Sequence, residues 1–233
     1  MKPRIAIIAA LPREIASLVR GWQEESDPAK KIFVYTNDSA VVVCAGMGAA
    51  RAEIAVQAAL ARGSISYLFS VGWAGALKSE FSAGSIHHPA YVMDAATNQK
   101  FTTVAGTGTL VTVAKVANAQ EKRALAAEFD AEYVDMEAAT VARLAAENKI
   151  PFAVVKTISD ECEDAPQEIL QAFTTDDGWI REKAFALHVA LRPWMWLATM
   201  RMARTASASA RNLCQELHRI LLAYQTHGTN ENG

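Results

Sequence analysis

The sequence predicts a three-layer α/β sandwich, a largely parallel sheet with helices on both faces, on three observations. Short β-branched apolar runs alternate with alanine-rich stretches, as strands alternate with crossover helices in such folds. The chain has 233 residues, 51% hydrophobic and 21% charged, enough to bury a core without metals or disulfides. Small-residue turns and isolated carboxylates follow the apolar runs, where open α/β sheets gather their ligands.

Residues 5–10 open the chain as a buried strand. The run from Ile5 to Leu11 follows two cations, as in a signal peptide, but Pro12, Arg13 and Glu14 end it before any small-residue cleavage site. Further strands are expected at 32–35, 40–45, 67–71, 85–93, 110–113 and 152–158, with helices at 49–61, 119–129 and 136–148. No stretch reaches the roughly 18 uninterrupted apolar residues that span a bilayer.

The body, 1–191, reads as one domain, and 192–233 is a segment of different character. It holds five arginines against Glu216 and Glu231, a charge of +3 where the body carries −5. Helix is expected from Trp194 onward, after Pro193 at a favoured first-turn position. Such a helix docks its apolar stripe on the sheet, or rests its Trp- and Arg-bearing face on an anionic membrane as a peripheral contact.

The net charge of −2 excludes a strongly basic nucleic-acid binder and an acidic tail protein. Cys44, Cys162 and Cys214 are odd in number and widely spaced, which fits neither a disulfide framework nor a zinc site and points to a reducing, cytoplasmic setting. His87 and His88 are neighbours in a strand-like run and point to opposite faces, so no metal is expected. Cys162 has no histidine near it in sequence to make it a nucleophile.

Gly46-Met47-Gly48 follows a strand and opens a helix, but with Arg51 at the third glycine position it is a poor dinucleotide fingerprint, and no cofactor is expected. Gly72-Trp73-Ala74-Gly75 reads as a second small-residue turn, open to a sugar or an anion. Val134-Asp135-Met136-Glu137 leads into a helix, and Ile158-Ser159-Asp160 ends a buried strand. Taken singly, Glu137 is a carboxylate favoured by a helix dipole and Asp160 a cap.

Together and in order, these segments resemble the nucleoside phosphorylase/nucleosidase superfamily, and within it the 5′-methylthioadenosine/S-adenosylhomocysteine nucleosidases. The family pattern is a strand ending in a small-residue turn and Glu, a Gly-Ile-Gly-like turn, a Gly-Ser-Ala-Gly-like turn, a Val-Glu-Met-Glu-Ala helix start and an Ile-Ser-Asp strand end. This chain has Ala9-Ala10-Leu11-Pro12-Arg13-Glu14, Gly46-Met47-Gly48, Gly72-Trp73-Ala74-Gly75, Val134-Asp135-Met136-Glu137-Ala138 and Ile158-Ser159-Asp160. The resemblance implies a mixed, largely parallel sheet, cleavage of an N-glycosidic bond, a small nucleoside as substrate and a homodimer.

It also implies roles. Asp160, held by Ser159, is the general acid toward the leaving base, and Glu14 orients and deprotonates the attacking water. Glu137 clamps the ribose diol, since a carboxylate can accept from both hydroxyls, with Met136 against the sugar. Gly72, Trp73 and Met47 line the substrate site. Trp73 replaces the family's Ser, and Ser70 stands where phosphorylases carry Arg, which favours water over phosphate. Arg51 and Arg13 are the cations that would otherwise hold an anion. Trp73 and the tail are similar to the hopanoid-associated branch, whose substrate is an adenosylated lipid.

Overall fold

The computed structural model describes residues 4–163, 172–175, 177–192 and 196–230. Its order is β1 (Arg4–Ala9), α1 (Pro12–Ile15), β2 (Gln23–Glu24), β3 (Phe33–Thr36), β4 (Ala40–Cys44), α2 (Ala49–Leu60), β5 (Ile65–Ala76), β6 (Ile86–His87), β7 (Tyr91–Asp94), β8 (Lys100–Thr102), β9 (Thr109–Thr112), α3 (Ala119–Phe129), β10 (Tyr133–Asp135), α4 (Ala138–Glu147) and β11 (Phe152–Asp160). Among the described residues, α5 (Glu182–Ala190) and α6 (Trp196–Asn230) follow.

The strands form one mixed sheet, β2-β3-β4-β1-β5-β10-β9-β7-β8, with β11 paired to β5 and β6. β4, β1, β5 and β11 run parallel at its centre. The edge strands β2 and β8 are antiparallel to their neighbours. The sandwich expected from sequence is the fold observed.

Both faces of β1 and β4 are buried, which is why those runs do not alternate with polar residues. On one face, α2 and α4 pack alanines against the sheet: Ala52, Ala55 and Ala59 from α2, and Ala138, Ala142 and Ala145 from α4. Small side chains let the two helices approach the strands closely. On the other face, α6 lays Leu213, Leu217 and Leu221 at i, i+4, i+8 against Ile5, Ile7, Val42 and Val155. Each such leucine contributes about 1.5–3 kcal/mol by burial. The apolar stripe of the tail therefore docks over residues 213–221, while Trp194, Met195 and the expected helix start lie outside the described residues.

Three sequence expectations are corrected. Residues 72–75 are not a turn: β5 runs on through them, pairing Gly72 with Lys156, Trp73 with Thr157 and Gly75 with both Asp160 and Val134. The run 85–93 is two strands, β6 and β7, broken around Pro89, whose missing N–H cannot join a ladder. The helix expected from 136 begins at Ala138, leaving Asp135 in β10 and Glu137 at the cap position.

Candidate active site

The long strand β5 is the spine of the site. Its residues 68–75 lie beside β11, and at Gly75 it also meets β10. Glu14 approaches from α1, Glu137 from the β10–α4 junction and Asp160 from the tip of β11. Glycine is required at two places along this spine. A Cβ on Gly72, where φ is +128°, would stand 2.8 Å from Glu14 Oε1, and one on Gly75 would stand 3.0 Å from Asp160 Oδ2.

Glu14 is buried, and both carboxylate oxygens are held by backbone amides. Leu11 N donates to Oε2 at 2.8 Å and Trp73 N to Oε1 at 3.1 Å. Burial pushes its carboxyl above the ordinary range, against the pull of those two amides and of Lys156. Glu137 accepts Gly48 N at 2.7 Å on Oε1 and Met136 N at 3.3 Å on Oε2. Gly48 is the N-cap of α2, so the Gly-Met-Gly segment presents a helix N-terminus to this carboxylate. Burial, then the neighbouring Asp135, pushes Glu137 up to about 7.

Lys156 balances this negative group. It is 1% exposed, donates to Asp135 Oδ2 at 2.8 Å and acts on Glu137 and Glu14 through space. Burial lowers its amine, but Asp135 and Glu137 outweigh that and hold it above its ordinary value. Asp135 also accepts the Thr112 hydroxyl at 2.7 Å and Ala138 N at 3.0 Å, so this buried pair is well supplied with hydrogen bonds.

Asp160 keeps 19% of its side chain exposed. Ser159 Oγ donates to Oδ1 at 2.5 Å, and Lys122 Nζ lies 2.5 Å from Oδ2. The hydroxyl expected to hold Asp160 is in place, joined by an ammonium that the sequence did not suggest.

The remaining expected residues divide into two groups. Trp73 lies with its ring 4.7 Å from the Arg13 guanidinium, and its Nε1 is buried with no hydrogen-bond partner among the described residues. Met47 N donates to Gly178 O at 2.9 Å, so the loop before α5 closes on the Gly-Met-Gly segment. Met136 precedes Glu137 and is partly buried. The arginines are turned to other tasks. Arg51 bonds the carbonyls of Ala45, Lys30 and Lys31, and Arg13 lies 4.0 Å from Glu182 as well as over Trp73.

A cavity of about 700 Å³ opens beside these groups, lined by Leu11, Pro12, Arg13, Trp179, Arg181 and Lys183 among others. Away from the site, His87 bonds Ser85 and Tyr133, while His88 is 3.2 Å from Glu216. No cluster of three metal-ligating side chains occurs among the described residues. No described helix is long and apolar enough to cross a membrane.

Sequence reasoning missed Lys156 and Lys122. The first had a signal: a lysine within Val154-Val155-Lys156-Thr157-Ile158, a strand buried on both faces, needs a buried partner. The second had none, because Lys122 lies among Glu121 and Arg123 in a helix that reads as solvated.

The structure is similar to that of the 5′-methylthioadenosine/S-adenosylhomocysteine nucleosidase of Helicobacter pylori, with a TM-score of 0.71 and 14% identity over 95% of this chain and 98% of that one. The Neisseria meningitidis 5′-methylthioadenosine/S-adenosylhomocysteine nucleosidase gives a TM-score of 0.69 at 14% identity, covering 93% and 97%. Futalosine hydrolase of Helicobacter pylori gives 0.65 at 16%, covering 93% and 98%. At these identities the likeness is one of fold. No curated protein matches the sequence. The phosphorylase superfamily model matches two overlapping segments, 4–108 and 92–191, which together include every carboxylate of the site, and the chain belongs to that superfamily.

Proposed function

We propose that the protein is a nucleosidase that cleaves the N-glycosidic bond of a 5′-substituted adenosine and releases adenine. One observation carries this reading: of three carboxylates from separate elements, Glu14 and Asp160 border the Gly72–Gly75 stretch of β5, and Glu137, held at Gly48, is the electrostatic neighbour of Glu14, each in a different environment. Glycosidic cleavage needs three separate tasks done: hydroxyls held, a water activated, and a leaving base protonated. Glu137, fixed by two amides, keeps lone pairs for the ribose 2′- and 3′-hydroxyls, with Met136 beside the sugar. Glu14 takes the proton of the attacking water as oxygen bonds to C1′. Asp160, steadied by Ser159, serves the base as the C1′–N9 electron pair departs with it.

Water is favoured over phosphate because the candidate cations are engaged. Arg51 is bonded to three carbonyls and Arg13 is stacked on Trp73. The cavity beside Leu11 and Trp179 is suited to the 5′-substituent. Free adenine should appear from 5′-methylthioadenosine without phosphate, and Asp160→Asn should slow its release by roughly 10²–10⁴-fold. Product chromatography decides. A phosphate-dependent sugar phosphate product would replace this reading with phosphorolysis, including that of an adenosyl lipid. Adenosine-analogue binding without turnover would make the chain a nucleoside-binding protein.

We also infer peripheral membrane contact of a cytoplasmic homodimer through the exposed apolar residues of α5 and of the first turns of α6. Leu187, Leu191, Trp196 and Met200 are 50–69% exposed on helices that also carry the exposed Lys183, Arg204 and Arg211. Light scattering should give about twice the 25.2 kDa chain mass. The protein should sediment with phosphatidylglycerol vesicles and not with neutral ones. Retention of that binding by Trp196→Ser/Met200→Ser would reject the membrane contact.

A further inference from the structure

Lys122 is an unusual lysine. It is the fourth residue of α3, on a helix whose other charged side chains face solvent, yet it is 1% exposed. Its ammonium lies 2.5 Å from Asp160 Oδ2 and 2.6 Å from the Glu161 carbonyl. Gly75 leaves room for the pair, since a Cβ there would stand 3.0 Å from Asp160 Oδ2 and 3.3 Å from Lys122 Cε. Burying an ammonium costs several kcal/mol before pairing offsets it. The fold bears this cost at the strand tip assigned to the leaving base.

The hydrogen bonds around Asp160 place two donors on it. Oδ1 accepts from Ser159 and Oδ2 accepts from Lys122, so both oxygens act as acceptors and a hydroxyl and an ammonium are the donors nearest the strand tip. We propose that Lys122 supplies, through Asp160, the proton that the leaving base takes up, so that the Lys122–Asp160 pair rather than Asp160 alone is the acid of the site. This rests on the nucleosidase reading above. As the C1′–N9 bond breaks, its electron pair goes to the base, Asp160 delivers a proton to N7, and Lys122 passes one of its own to Asp160. The lysine is left a neutral amine and regains a proton from solvent once the base has gone, while Glu14 releases to solvent the proton it took from the attacking water, so protons and charge balance over the cycle.

The test compares two leaving groups on one sugar. 5′-Methylthioadenosine must have its base protonated, whereas the 4-nitrophenyl glycoside of 5-methylthioribose releases a phenolate that needs no proton. Lys122→Met should lower kcat for adenine release by roughly 10²-fold or more while changing nitrophenolate release by less than about five-fold. The second activity also shows that the variant is folded. An equal loss on both substrates would make Lys122 a purely structural residue and overturn the proposal. Full activity of the variant on 5′-methylthioadenosine would overturn it as well. A wild-type protein that frees adenine while Lys122→Met loses neither activity, or loses both equally, would defeat the relay alone. One that frees no adenine would defeat the nucleosidase reading and the relay with it.

Discussion

Lys156→Met should destabilise the protein by about 3–5 kcal/mol, the largest stability loss expected from a single change near the site. The substitution fills the same space with an apolar chain but leaves Asp135 Oδ2, which accepts at 2.8 Å, without its cation. Both side chains of this pair are essentially inaccessible to water, so solvent cannot replace the lost interaction. The penalty arises from the stranded charge, and removing that charge should recover part of it. Lys156→Met/Asp135→Asn should therefore be more stable than the single variant, because the neutral amide that replaces the carboxylate can still accept from Thr112 or Ala138. Urea denaturation at pH 7 measures both. A single variant within 1 kcal/mol of wild type, on the order of an exposed ion pair, would show that Lys156 does not hold the carboxylates together.

Glu137→Gln should separate activity from stability. In the proposed reaction it removes a charged acceptor from two ribose hydroxyls, each bond worth about 1.5–3 kcal/mol, so kcat/KM should fall at least about 10²-fold. Its effect on stability should depend on pH. With its carboxyl raised from 4.5 to about 7, the folded protein retains between those values a proton that the unfolded chain has released. Native stability is therefore lost as pH rises through this window, and the cost of burying the charged form is complete above about 7. Glutamine bears no such cost. The melting temperature of the variant minus that of wild type should increase from pH 4.5 to 7 and then level off. In wild type, kcat/KM should rise with pH up to about 7, as Glu137 ionises in the free enzyme. A melting difference independent of pH would contradict the raised carboxyl.

The two variants probe one electrostatic unit. Lys156 lowers the proton affinity of Glu137, so its loss should also move the acid limb of kcat/KM upward in pH. Desolvation favours the neutral carboxyl, and a single buried cation draws it back toward the charge that the diol requires.

The sequence was most legible where one physical rule acts alone. The run of β4 is apolar throughout, and that of β1 from Ile5 on, because both faces of those strands are covered, so their position and parallel character follow from composition. The bounds of α3 were readable as well: the helix expected at 119–129 is the one observed, opened by Asn118 and Glu121, which exchange side-chain and backbone hydrogen bonds in a capping box. The expectation failed at residues 72–75, where glycine suggested a turn and the chain continues as strand. Those glycines leave room for carboxylates from elsewhere in the chain rather than for a change of direction.

By itself, the sequence determined the sandwich, the helices of its faces and the order of the carboxylate-bearing segments, all of which depend on local periodicity and composition. It did not determine their company. Glu14 meets the amide of Trp73, Glu137 that of Gly48, and Asp160 the ammonium of Lys122, across 59, 89 and 38 positions. Only the tertiary structure decides such meetings, since register and crossover set which strand tips become neighbours. The protonation of a carboxylate follows from what surrounds it there, and no property of its own segment fixes that.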